Sequence, residues 1–266
     1  MSRVCYREWH DGTDARTDAR EGVEYMTVTV TDTTIAAAAA LLADPTRAGF
    51  VVALSDGRAL PAGELARRGR VAPSTATAHL TKLVAQGFLV VEAQGRRRYY
   101  RLANPAVVRA LEALAAVACP TPIRSLQASE EAAALHSART CYDHLAGALG
   151  VALTQALVDG DVLDTVADGY TVTTRGAVVL KEFGLDLDGV RRRPRLFAPR
   201  CLDWSERQHH VAGALGAALA DRLFELGWIA RVPANRAVRV TTDGREGLRE
   251  RFDLDLMAAP WRAETE

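Results

Sequence analysis

The sequence predicts a mostly α-helical protein with small β-wings, folded in two parts. The first part is a run of helices closed by a β-hairpin. The second is an α+β C-terminal domain built of two helix-strand-helix repeats. Three observations carry this. Apolar residues recur at helical spacing from Asp32 to Gly87, and the period then drops to two. A His-x-Ala-Gly-Ala-Leu-Gly heptad is written twice, from His144 and from His210. A Thr-Thr-x-Gly run follows each heptad, at Thr173-Thr174-x-Gly176 and Thr241-Thr242-x-Gly244.

The bulk composition limits the function classes. The chain has 266 residues, 48% of them hydrophobic, with 33 basic and 33 acidic side chains. That is enough apolar material for real cores, so global disorder is excluded. No charge-free apolar stretch reaches the roughly 18 residues of a membrane span. The polar opening lacks the apolar segment of a signal peptide. Four widely spaced cysteines do not make a disulfide scaffold, so a reducing cytoplasm is expected. The zero net charge hides an uneven distribution. Between Arg58 and Arg109 ten basic residues face two acidic ones, Glu64 and Glu92. Such a local excess suits a polyanion partner.

Residues 1–25 are polar and read as a disordered arm, after which Met26 opens a new pattern. The segment "TDTTIAAAAALLAD" reads as a helix with an Asp/Thr start. Pro45 opens the next helix, which stops near Gly57. A short helix over Glu64–Arg68, a tight turn at 69–72 and a second helix from Pro73 to Gly87 make a helix-turn-helix. "FLVVEAQGRRRYYRLA" then reads as two strands around a Gln94-Gly95 turn with an arginine-loaded tip. Asn104 and Pro105 cap and open a closing helix to about Val117.

In this order the segments "LADPTRAGFVVAL" and "ELARRGRVAPSTATAHLTKLVAQGFLVVEAQGRRRYYRL" resemble the ArsR/SmtB winged-helix repressors. The resemblance runs from about Asp32 to Val117, under half of the chain. It implies a homodimer on double-stranded DNA, paired through the first helix (Thr34 to Leu42) and the closing helix. A recognition helix reads base edges from its N-terminal residues. Here these are Ser74, Thr75 and Thr77, followed by His79 and Lys82. Arg96, Arg97 and Arg98 at the wing suit phosphates or a narrow minor groove. The family's familiar metal sites need Cys pairs in the helix-turn-helix or Asp/His pairs on the closing helix. "GELARRG" and "NPAVVRALEALAAVA" have neither.

Residues 26–118 thus form the expected DNA-binding and dimerisation domain, and 119–138 a linker marked by Pro120 and Pro122. The repeats occupy 139–188 and 200–256 of a sensing domain that runs to residue 266. Each is expected to begin with a helix, over His144–Leu157 and His210–Leu226. Ala and Gly at successive turns would let these two helices pack on one another. Cys141, His144, Cys201, His209 and His210 are the candidate effector or metal residues, with Cys141 and His144 expected on one helical face. The set suits zinc or another thiophilic metal, although the sequence requires no cofactor. A thiol switch and a small organic effector are the other candidates. Superposing the heptads places Arg207, not Cys201, opposite Cys141. The expected function is a dimeric DNA-binding repressor, with an unidentified effector sensed in the C-terminal half. A protein-interaction module using the winged helix is the alternative. An enzyme built on Cys141 and His144 lacks a recognisable oxyanion loop or third residue.

Overall fold

The computed structural model describes residues 32–95, 97–118, 126–232 and 235–256. The expected arm at 1–25 lies outside these residues, as do Arg96 and Cys119.

The N-terminal module is α1 (Asp32–Leu42), α2 (Pro45–Ala53), β1 (Leu60–Pro61), α3 (Ala62–Arg68), α4 (Pro73–Ala85), β2 (Leu89–Gln94), β3 (Arg97–Leu102) and α5 (Pro105–Val117). Its starts follow local chemistry. Asp44 accepts from the Arg47 N–H and Pro45 fills the first turn of α2. Asn104 accepts from the Ala106 N–H at the start of α5. The hairpin β2–β3 pairs Leu89 with Leu102 and Gln94 with Arg97. The short β1, not read from the sequence, adds a third antiparallel strand in the order β1-β3-β2, with Leu60 opposite Tyr100. Phe50, Leu54, Leu65, Leu80, Leu83 and Leu102 fill the core beneath it.

Helix α6 (Leu126–Ser137) occupies much of the expected linker and leads into the C-terminal half. There the element order differs from helix-strand-helix. A hairpin β4 (Arg139–Cys141) and β5 (His144–Ala146) precedes α7 (Gly147–Asp159). Hairpin β6 (Leu163–Val166) and β7 (Gly169–Val172) and helix α8 (Thr174–Glu182) follow. After α9 (Leu187–Arg191) the order returns: β8 (Arg200–Leu202), β9 (His209–Val211), α10 (Gly213–Glu225), β10 (Ile229–Arg231), β11 (Val238–Val240) and α11 (Thr242–Phe252). His144 and His210 therefore sit in strands. The helices begin three residues later, at Gly147 and Gly213, whose φ of +74° and +69° turn the chain from strand into helix.

The packing is reciprocal. Helix α7 lies against β9, and α10 lies against β5. The Val211 N–H donates to Thr154 Oγ1 of α7. A Cβ on Gly216 of α10 would sit 3.1 Å from the His144 Cβ of β5. The small residues of the heptads thus admit the other half's hairpin, where the sequence suggested helix against helix. The hairpins cross in the same way: Arg139 bridges Ala237, and Gly169 bridges Pro199. Leucines of α7 and α10, with Ile229, Leu248 and Phe252, form the second core.

Among the described residues no single helix is long and apolar enough to cross a membrane. The apolar α1 and α2 meet at a bend of 84°, and α2 buries Phe50 and Val51 in the N-terminal core.

The Thr-Thr-x-Gly runs have one physical cause. Thr173 and Thr241 each accept from the N–H three residues on, at Gly176 and Gly244, and so cap α8 and α11. A Cβ on Gly176 would lie 2.0 Å from the Val162 carbonyl oxygen, and one on Gly244 1.9 Å from that of Trp228. Only glycine lets the helix start that close to the strand. Gly244→Ala is expected to destabilise the fold by about 1–3 kcal/mol, read as a lower urea midpoint at constant m-value. An unchanged midpoint would refute the close approach as the reason for glycine here.

Candidate functional site: an exposed polar helix face and a buried cysteine-histidine cluster

The first candidate site is the face formed by α4 and the β2–β3 hairpin. Ser74, Thr75, Thr77 and Lys82 are exposed on α4, while Ala76, Leu80 and Leu83 hold its other face in the core. The Thr77 hydroxyl donates back to the Pro73 carbonyl at 2.9 Å. Arg97 and Arg98 are exposed near the hairpin tip. Arg101, further down the strand, is held by Glu92 at 2.6 Å. His79 turns inward instead. It meets the Phe50 ring edge-on and lies 3.5 Å from Arg47 Nη1 and 3.7 Å from Asp44 Oδ1. Its place is the α2–α4 junction, so it is the one recognition-helix candidate that does not join the exposed face.

The second candidate site lies between the two halves of the protein. Cys141 and His144 are not neighbours on a helix. They are cross-strand partners in β4–β5, joined by a turn in which Tyr142 adopts φ +60°. Cys201 and His210 are cross-strand partners in β8–β9. The second hairpin has a longer loop, which is why superposing the heptads hid the match between the cysteines. One donor atom from each of Cys141, His144, Cys201 and His210 lies within 4.8 Å of every other. All four residues are buried, and the two Sγ atoms are 4.0 Å apart. The rings of His144 and His210 are 5.1 Å apart. His209 is exposed and does not join them.

The surroundings are charged and densely hydrogen-bonded. Asp143 Oδ1 is 3.5 Å from His144 Nδ1, and Asp143 is itself ion-paired to Arg195. Asp203 Oδ2 is 3.6 Å from His210 Nδ1. Asp203 accepts at 2.9 Å on both oxygens from a single guanidinium nitrogen of Arg139. It also accepts from the N–H groups of Gly147, Ser205 and Glu206. Burial raises the Asp203 carboxyl, but the Arg139 guanidinium and these hydrogen bonds outweigh it and hold the group well below the usual carboxylate range. The Cys201 thiol and burial push the Cys141 thiol up to about 12. Burial lowers His210, because the imidazolium loses its hydration.

This cluster is built into the N-terminal module. Cys141, Ala146, Cys201 and Ala212 pack in the same core as Phe50, Val51 and Leu54. The Tyr142 N–H donates to the Ser55 carbonyl just beyond α2 at 2.6 Å. Glu112 of α5 takes Arg236 at 2.7 Å and Arg139 at 3.5 Å, all three buried. Sequence reasoning missed Arg139, Asp143, Glu112 and Arg236. The recurrence of Cys-x-Asp, at Cys141-Tyr142-Asp143 and Cys201-Leu202-Asp203, was the available signal.

Removing Glu112 leaves Arg236 buried without its nearest carboxylate. Glu112→Ala is expected to cost about 3–5 kcal/mol of unfolding free energy by urea titration. A loss under about 1 kcal/mol, the range of a surface pair, would show that this link does not tie the halves together.

A family model described as a helix-turn-helix domain matches residues 42–92. The chain is similar to the "Uncharacterized HTH-type transcriptional regulator YdfF" of Bacillus subtilis (strain 168), 43% identical over 222 residues, which are 84% of this chain and 98% of that protein. Among solved structures it is similar to NolR from Sinorhizobium fredii, at 25% identity over 31% of this chain and 82% of that one, with a TM-score of 0.30. It is also similar to the homodimeric winged helix-turn-helix DNA-binding domain Mb0332 from Mycobacterium bovis, described as a possible ArsR-family regulator. That match has 22% identity, 33% and 86% coverage and a TM-score of 0.29.

Proposed function

Because the chain belongs to the HTH-type transcriptional regulators, which are not enzymes, we propose that it acts as an ArsR-type dimeric repressor released from DNA by an effector sensed in its C-terminal half. The observation that carries the reading is the pairing of an exposed polar helix N-terminus (Ser74, Thr75, Thr77) with an exposed arginine pair (Arg97, Arg98) on the adjoining hairpin. The helix would read base edges and the hairpin would hold phosphate. Ser and Thr make single rather than bidentate base contacts, so the two half-sites of a dimer share the work of specificity.

The dimer reading is supported by an apolar face left bare. Ile35 of α1 is 60% exposed, and Leu114 and Val117 of α5 are 50% and 80% exposed. These are the two helices through which the resemblance implied pairing. The C-terminal half reads as a duplicated hairpin-helix-hairpin-helix unit over 139–188 and 200–256. Its shared core with α2 and its Glu112 link to α5 supply the route by which an effector would bias the DNA-binding module.

Arg97→Ala/Arg98→Ala is expected to weaken binding about equally on specific and non-specific duplexes. It should also flatten the log Kobs against log salt slope of the dimer by about 4, roughly one for each of the four phosphates that the two protomers' arginines no longer neutralise. Fluorescence anisotropy across a salt series measures both. An unchanged slope would remove the wing from the interface.

A further inference from the structure

We propose that Cys141, His144, Cys201 and His210 form a closed tetrahedral site for a thiophilic divalent cation of the zinc class. Its part as the effector signal rests on the regulator reading above; the site itself does not.

Three observations support it. The first is the donor set and its size. Zinc–sulfur bonds of about 2.3 Å and zinc–nitrogen bonds of about 2.0–2.1 Å set tetrahedral donors roughly 3.3–3.8 Å apart. The two Sγ atoms are already 4.0 Å apart, and the whole set spans no more than 4.8 Å. A contraction of at most about 1.5 Å between any two donors closes it.

The second is the state of the imidazoles. Both ring nitrogens of His144 and both of His210 are buried without a hydrogen-bond partner among the described residues. A buried polar atom left so costs free energy. One metal resolves one nitrogen on each ring. The other follows from the aspartates: each Nδ1 stands just outside hydrogen-bond length of a carboxylate, Asp143 at 3.5 Å and Asp203 at 3.6 Å. Metal-bound histidines commonly give their second N–H to a carboxylate in this way. Nδ1–H then faces the aspartate and Nε2 faces the cation.

The third is charge. Two thiolates and two neutral imidazoles around a divalent cation make a neutral complex, which a dry site tolerates best. On binding, two S–H bonds break, two metal–sulfur bonds form and two protons pass to the buffer. Four protein ligands leave no open position, which is the pattern of a structural or sensing site.

The test is cobalt(II) titration of the full-length, reduced protein, followed by absorption spectroscopy and metal analysis. The site predicts one cobalt per chain, thiolate-to-cobalt charge-transfer bands and the intense visible bands of a tetrahedral ion, all lost when zinc is added. Asp143→Asn, whose carboxylate is partly exposed and faces His144 while pairing with Arg195, should lower cobalt affinity about tenfold or more without changing the bands. His209→Ala should leave both bands and affinity unchanged, and Cys201→Ser should abolish them. Absence of the bands in the folded wild-type chain would overturn the proposal. So would recovery of a Cys141–Cys201 disulfide that a reductant opens without restoring cobalt binding. Tetrahedral cobalt in a chain that fails to bind DNA would keep the site and defeat the regulator reading instead.

Discussion

The buried Arg139–Asp203 ion pair is the interaction on which the C-terminal half depends. Neither side chain is exposed, so each needs its partners in full. Asp203 meets that need with Arg139 from β4 and with the Gly147 N–H at the start of α7, where Ala146 offers no side-chain cap. A carboxylate from the second hairpin therefore completes the helix of the first unit. Arg139 in turn donates to the Leu135 carbonyl of α6 and to Ser205, and its guanidinium stacks on Trp204. Breaking this pair would loosen β4, α6, α7 and the β8–β9 loop together.

The small sheets make such a keystone necessary. Each C-terminal hairpin has only two strands, and an isolated two-stranded hairpin is marginal in water. Stability for β4–β5 and β8–β9 comes from covering each with the other unit's helix, α10 and α7, while β6–β7 and β10–β11 lean on helices of their own unit. The reciprocal crossing puts the two cysteine–histidine hairpins side by side, against the core of the DNA-binding module. The cluster's position between the halves is a consequence of that packing. Glu112 extends the same polar network into α5, whose outer face carries the bare Leu114 and Val117. The polar network thus runs from Asp203, 3.6 Å from the His210 ring, through Arg139 and Glu112 to the helix whose outer face is proposed for pairing.

Much of the N-terminal module was legible in the sequence because its signals are local. Pro45, Pro73 and Pro105 sit in first helical turns, Asn104 caps α5, and the switch to period two marks the β2–β3 hairpin. The strand β1 was not legible, since two residues carry no period. His79 reads as a groove-facing residue by position, and only the tertiary contact with Phe50 shows it turned inward. In the C-terminal half the Ala/Leu/Gly composition favoured a helix through His144 and His210. The positive φ at Gly147 and Gly213 overrode that propensity, and glycine's identity alone does not reveal its conformation. All four residues of the cluster were named from the sequence, together with His209, which is exposed and lies outside it. The equivalence of the two cysteines was hidden by the longer loop between Cys201 and His210, which offsets the hairpins. Arg139 and Glu112 were invisible for a simpler reason: charged residues are presumed exposed, and only packing shows these two buried.

The buried C-terminal cluster and the DNA-reading face are, on this reading, energetically coupled. The most direct measurement is the affinity of the reduced protein for duplex from upstream of its own gene, with and without saturating zinc, at one fixed salt concentration. Coupling predicts at least about a tenfold difference, or about 1.4 kcal/mol. Equal affinities in the two conditions would contradict it.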